Sequence, residues 1–177
     1  MLSIVALAIG AGPFIGLLPI VAQNVFGGGA GTTSVFVTAQ GLGAIVGALT
    51  VPRMGERWGR ERALLVGFAS LAPALLVYAL APSSAVAAAA LVVIGAGYFC
   101  VLVSGQALLQ LDAPTELRAR VMALFSIALG LPYVVAVTVH GFVGDAWGLR
   151  ETHVVMAALT GLVLVALFRQ QQSQRPK

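Results

Sequence analysis

Charge is what this chain of 177 residues has least of: Asp, Glu, Lys and Arg make up 9% of it. A soluble domain carries about 25% charged residues because its surface faces water, so a water-covered globule is excluded. Cysteine is nearly absent too, and the single Cys100 cannot form an internal disulfide. Histidine is limited to His140 and His153. No Cys/His/Asp cluster has ligand spacing, so neither a metal nor a cofactor is expected. No Ser/His/Asp set shares a depth in the membrane, which disfavours an enzyme. The ten basic residues give a net charge of +4 and a pI near 10, but they are too few for a nucleic-acid footprint, and no nucleic-acid partner is expected.

Apolar residue types fill 59% of the chain, and the mean hydropathy is +0.99. Residues 1–52, 63–111, 121–144 and 152–168 carry no charge at all. About 20 apolar residues cross a bilayer as a helix, so the first two runs each hold a hairpin of two spans and the last two hold one each. The spacing predicts an all-α, polytopic membrane protein with six transmembrane helices at about 2–22, 33–52, 63–81, 85–106, 120–142 and 152–168. Residues 1–168 form one membrane domain, and 169–177 a polar tail. The breaks carry turn chemistry: Asn24 with Gly27, Gly28, Gly29 and Gly31 in the first hairpin, Ala81-Pro82-Ser83-Ser84 in the second. The first segment lacks a basic leader and five spans follow it, so it reads as a permanent helix and not a signal peptide. Continuous apolar runs without period-two alternation exclude a β-barrel.

The arginines orient the bundle. With the N-terminus in the cytoplasm, the inner loops and tail hold Arg53, Arg57, Arg60, Arg62, Arg118, Arg120, Arg169, Arg175 and Lys177, leaving only Arg150 outside. This bias predicts that both termini are cytoplasmic.

The loop between spans two and three, 53–62, alternates acids and arginines: Gly55-Glu56-Arg57-Trp58-Gly59-Arg60-Glu61-Arg62. Carboxylate–guanidinium pairs in so tight a turn can hold helix ends together and re-form when helices move; positive-inside bias alone would also place arginines there. The pattern returns as Gly144-Asp145-Ala146-Trp147-Gly148 after span five. One copy lies inside and the other outside, so the spans divide into two three-helix repeats of inverted topology, a plan common among secondary transporters.

The loop Glu56-Arg57-Trp58-Gly59-Arg60 resembles the Gly-x-x-x-Asp-Arg-x-Gly-Arg-basic signature of the major facilitator superfamily. The run Ala113-Pro114-Thr115-Glu116-Leu117-Arg118-Ala119-Arg120-Val121-Met122-Ala123-Leu124 is similar to the inner loop before the eleventh helix of its bacterial efflux and siderophore-exporting branch. Glu56 stands for the usual Asp, Pro52 for the first Gly and Glu61 for the final basic residue. Such departures are typical of the second copy of the motif, and the resemblance is to the C-terminal six-helix half. It implies a plasma (inner) membrane location, alternating-access efflux of a small molecule, and a partner in a missing N-terminal half or a second copy. Gly55, Glu56, Arg57, Gly59, Arg60 and Arg62 would form a conformational latch. Spans one and four would line a cavity, spans two and five would face the other half, and spans three and six would stand outside.

Polar groups facing lipid are costly and should point into protein or water. Gln23, Asn24, Gln40, Tyr98, Ser104, Gln106, Tyr133 and His140 are the expected cavity-lining residues. Five of them have a plainer reading: Gln40 with Gly43 and Gly47 as a close-packing face, Gln106 as a solvated end, Tyr98 and Tyr133 as packing, and His140 as an interfacial histidine. None of the six acids lies at membrane depth, so a proton-coupling carboxylate would belong to another polypeptide segment. A six-helix subunit that homodimerises and a non-transporting scaffold are the alternatives.

Overall fold

The computed structural model describes residues 2–173, with side chains from residue 3 to residue 169. The chain forms α1 (Leu2–Gly10), α2 (Phe14–Asn24), α3 (Ala30–Trp58), α4 (Arg60–Ala79), α5 (Ser84–Asp112), a 3-10 turn (Thr115–Leu117), α6 (Arg118–Trp147) and α7 (Leu149–Ser173), with no strand among the described residues. Six segments are long and apolar enough to cross a bilayer, and α1 with α2 makes the first, Ser3–Asn24. The fold is all-α with six membrane spans.

Three details differ from the sequence expectation. The first span is not one helix. Pro13 has no N–H to donate, and its ring crowds the carbonyl four residues back. Ala11 and Gly12 therefore both donate to the Leu7 carbonyl (3.0 and 2.7 Å), and Phe14 and Ile15 then close tighter turns onto Ala11 and Gly12. Pro19, Pro52, Pro73 and Pro132 sit within unbroken helices. Next, 53–62 is not a loop: α3 runs to Trp58 and α4 begins at Arg60. Finally, α7 continues through Ser173, so helix occupies the first part of the polar tail. Arg175 and Lys177 lie outside the described residues.

Between lipid and protein no hydrophobic driving force separates helices from solvent, so close backbone approach and van der Waals packing hold the spans together. Helix α5 is the centre of that packing. A Cβ on Gly43 would run into the Val92 carbonyl oxygen, one on Gly47 into that of Ala96, and one on Gly95 into that of Gln40, so α3 and α5 touch backbone to backbone. On the other side of α5, a Cβ on Gly67 would lie 2.7 Å from Val101 Cγ2. The first span uses the same device against α6, where a Cβ on Gly12 or Gly16 would meet Tyr133 or Val137 at 3.1 and 3.0 Å. Phe14, Phe36, Phe68, Leu71, Leu75, Leu91 and Ile94 fill the interior between these contacts.

The neighbours obey a two-fold rule. Span two rests on span four, and span five on span one; span three rests on span four, and span six on span one; spans three and six face each other. Exchanging spans one to three with four to six leaves that set unchanged, as an inverted repeat requires. Helix α6 is the least covered: only Phe125, Ala136, His140 and Gly144 are buried, while Leu131 and Phe142 are 66% and 72% exposed. The outer side of α3 is likewise open at Val35, Leu42, Ile45, Val46 and Leu49.

Candidate functional site

The two copies of the Gly-x-x-Trp-Gly pattern build the same elbow. At the first, α3 ends on Trp58 and Gly59 adopts φ +86, ψ 149. The Gly59 N–H donates to the Gly55 carbonyl at 3.1 Å, and the Ala63 N–H donates to the Gly59 carbonyl at 3.1 Å. At the second, α6 ends on Trp147, Gly148 adopts φ +109, ψ 146, and the matching bonds run from Gly148 to Gly144 (3.0 Å) and from Thr152 to Gly148 (3.2 Å). Only glycine occupies this backbone region without strain. One residue thus closes one helix and opens the next, which joins the spans rigidly. Trp58 and Trp147 are both exposed, as suits amphipathic rings at the level of lipid headgroups.

The first elbow stands at the arginine-rich end, where Ile4, Leu64 and Gly105 share one depth. Between the elbow and α5 lies a cleft of about 440 Å³, with Pro52, Gly55, Glu56 and Arg60 on one wall and Val103, Ser104 and Ala107 on the other. Ser104 is fully buried, whereas Glu56, Arg57, Arg60 and Arg62 are exposed. Among the described residues Glu56 forms no ion pair. Glu56 and Arg60 flank the Gly59 elbow and line the same cleft. Arg53 and Arg118 donate to backbone carbonyls, of Leu49 (3.2 Å) and Ala113 (3.4 Å).

The opposite end carries the counterpart. A cleft of about 450 Å³ is lined by Asn24 and Val25 of the first span and by Gly144, Asp145, Gly148, Arg150 and Glu151 of the second elbow. Arg150 donates to the Ala81 carbonyl at 3.0 Å and sits over the Phe26 ring at 5.9 Å, within cation–π range. From there edge-on rings run Phe26–Phe36 (5.7 Å), Phe36–Tyr78 (6.2 Å) and Tyr78–His153 (5.2 Å). This column ties spans one, two, three and six together. Sequence reading passed over it; the signal was Arg150, the one arginine outside the basic end among the described residues.

The expected cavity-lining residues are not brought to one place. Gln23 and Asn24 are exposed at the end of α2, Asn24 in the cleft just described. Gln40 is half-buried on α3, and its backbone oxygen abuts Gly95, so this face serves close packing. Tyr98 lines no open surface: its ring is buried edge-on between Phe14 (6.0 Å) and Phe99 (6.2 Å), where an aromatic body packs best. Ser104 belongs to the arginine-end cleft, and Gln106 is half-buried nearly two turns short of the end of α5. Tyr133 packs on Gly12 and Gly16. His140 is buried and not at an exposed interface, its Nδ1 held 2.7 Å from the Ala136 carbonyl. Ser34, Thr50, Ser126 and Thr138 return their hydroxyls to carbonyls one turn back, which satisfies them inside an apolar medium.

Twin elbows, two end clefts and six apolar spans, with no cluster of His, Cys, Asp or Glu able to hold a metal ion among the described residues, describe a polytopic membrane protein. The chain belongs to the Major Facilitator Superfamily, whose family model matches residues 1–177. It is therefore a membrane transport protein of that superfamily. A search of curated proteins found no match to the chain.

Proposed function

We propose that this chain forms one wall of a secondary-active efflux transporter for small molecules, working by alternating access in the plasma membrane with the arginine-rich end in the cytoplasm. The observation that supports this most is the elbow repeated at both ends of the bundle. It lets each pair of spans tilt as a lever, and it sets Glu56 and Arg60 beside a cleft that must open and close if α3 moves against α5. The open apolar sides of α3 and α6 suit a second six-helix unit, with the transported molecule held between the two.

Among the described residues every acid lies at a helix end or turn: Glu56, Glu61, Asp112, Glu116, Asp145 and Glu151. A proton-coupling carboxylate at membrane depth would then come from the companion unit. Glu56→Gln and Arg57→Ala, made in the transporter assembled with that unit and reconstituted into vesicles, should lower transport at least tenfold while insertion and span number stay normal. Wild-type transport rates in both variants would sink the latch. Proton-driven efflux from vesicles holding this chain alone would sink the division of labour.

A second copy of the chain is the other occupant that the open α3 and α6 sides accommodate. Gly43 and Gly47 do not serve that contact, because both face α5. A strictly monomeric purified chain would remove the homodimer and leave a separate companion.

A further inference from the structure

We propose that the groove between α4 and α7 holds one anionic phospholipid from the leaflet at the arginine-rich end. The groove measures about 570 Å³ and is walled by Leu65, Val66 and Ala69 on one side and Leu164, Val165 and Phe168 on the other, with Arg169 at its mouth. The two helices run antiparallel and meet farther along, where a Cβ on Gly161 would touch Ala72 at 3.9 Å. The groove opens on the arginine side of that contact. Its walls span five residues of each helix, about 6 Å of depth, which suits the upper part of an acyl chain below its headgroup.

The charge at the mouth selects among lipids. Arg62 lies three and four residues before Leu65 and Val66, hence on the same side of α4; Arg169 follows Phe168 directly. Both are exposed, and among the described residues neither makes a hydrogen bond or an ion pair. No acid is among the residues that wall the groove, and Glu61, four residues before Leu65, stands beside Arg62 at its mouth, so the two arginines leave a net positive charge there. Two unpaired guanidinium groups above an apolar slot complement a phosphate with a net negative charge, through the bidentate contacts that arginine makes with phosphate oxygens. A zwitterionic headgroup offers no such balance, because its own cation is repelled.

The test is native mass spectrometry of the chain released from nanodiscs containing equal amounts of phosphatidylglycerol and phosphatidylcholine. One phosphatidylglycerol should stay bound, preferred about five- to 25-fold, since each basic residue near a charged membrane surface contributes about fivefold. Arg62→Gln with Arg169→Gln should abolish the preference, Arg62→Lys with Arg169→Lys should keep most of it, and Arg120→Gln, which removes a charge elsewhere, should leave it intact. Val165→Trp fills the slot and should displace the lipid although both arginines remain. Equal retention of the two lipids by the wild-type chain, an unchanged preference in the double glutamine variant, or a lipid still bound in Val165→Trp would each overturn the proposal.

Discussion

Replacing Gly59 by alanine isolates the cost of the elbow. At φ +86, ψ 149 an L-residue is in a region essentially reserved for glycine, but a Cβ at this position meets nothing within 4 Å. Packing therefore contributes nothing, and the penalty is backbone strain alone, about 1–3 kcal/mol, or a five- to 150-fold loss in the folded-to-unfolded ratio. Gly148→Ala carries the same strain at φ +109, with an added contact to the Glu151 carboxylate. That carboxylate ends a flexible side chain at an exposed residue, so it should swing aside for a few tenths of a kcal/mol and the two variants should match closely. Gly41→Ala and Gly130→Ala are the controls, because both glycines are mid-helix with open space around them, and alanine there should stabilise by about 0.5–1 kcal/mol. Detergent-driven unfolding followed by tryptophan fluorescence is the assay. Trp58 and Trp147 each precede one elbow glycine, so Trp147→Phe and Trp58→Phe backgrounds report the two elbows separately. If Gly59→Ala unfolds where Gly41→Ala does, the elbow is not strained and the equivalence of the two turns means little.

Other consequences concern packing and the opposite end. Gly43→Leu must push α3 off α5, because the obstruction is the Val92 backbone and cannot rotate away; a loss of about 1–3 kcal/mol is expected. Cys100 provides the readout, since its thiol is buried beside Val51 and Ala63 and donates to the Ala63 carbonyl at 3.2 Å: maleimide should label it slowly in the wild type and quickly in Gly43→Leu. Arg150→Ala removes a charged hydrogen bond and a ring contact, and should cost about 1–3 kcal/mol. An unchanged thermal midpoint would mean that the aromatic column holds that end without the arginine.

Legibility in the sequence followed the strength of the physical signal. The six spans could be read because uncharged runs of bilayer length have few other uses, and the inverted repeat because a five-residue pattern sat at two places of opposite depth. Helix ends were read too early at the arginine end, where charge was taken for loop: Arg53 and Arg57 continue α3 for nearly two turns past the apolar run, and only the positive φ of Gly59 stops it. The break near Pro13 needed geometry, because Pro19, Pro52, Pro73 and Pro132 have the same chemistry and leave their helices whole. The site was least legible. Polar type alone cannot tell Tyr98, buried by its ring, from Asn24, which is open to a cleft, and the Phe26–Phe36–Tyr78–His153 column joins residues from four segments that no local pattern connects.

Comparing the two elbows separates what the fold needs from what the arginine-rich end adds. Both keep glycine at the first and fifth positions, tryptophan at the fourth and an acid at the second: Glu56 in one, Asp145 in the other. Backbone geometry accounts for the glycines, and membrane depth for the tryptophan. The cations differ. Arg57 corresponds to Ala146 and Arg60 to Leu149, while Arg150 stands where the first copy has Glu61, so the second turn carries one arginine where the first carries three. Leu149 is buried against Gly144, with its Cδ2 2.8 Å from a Cβ placed there, whereas Arg60 only brushes the equivalent Gly55 at 3.4 Å and reaches into the cleft. An apolar residue at this position packs into its own elbow, whereas an arginine extends into the cleft. Arg60→Leu should therefore make the first elbow resemble the second, raising stability while lowering transport. A loss of both would show that Arg60 is simply structural.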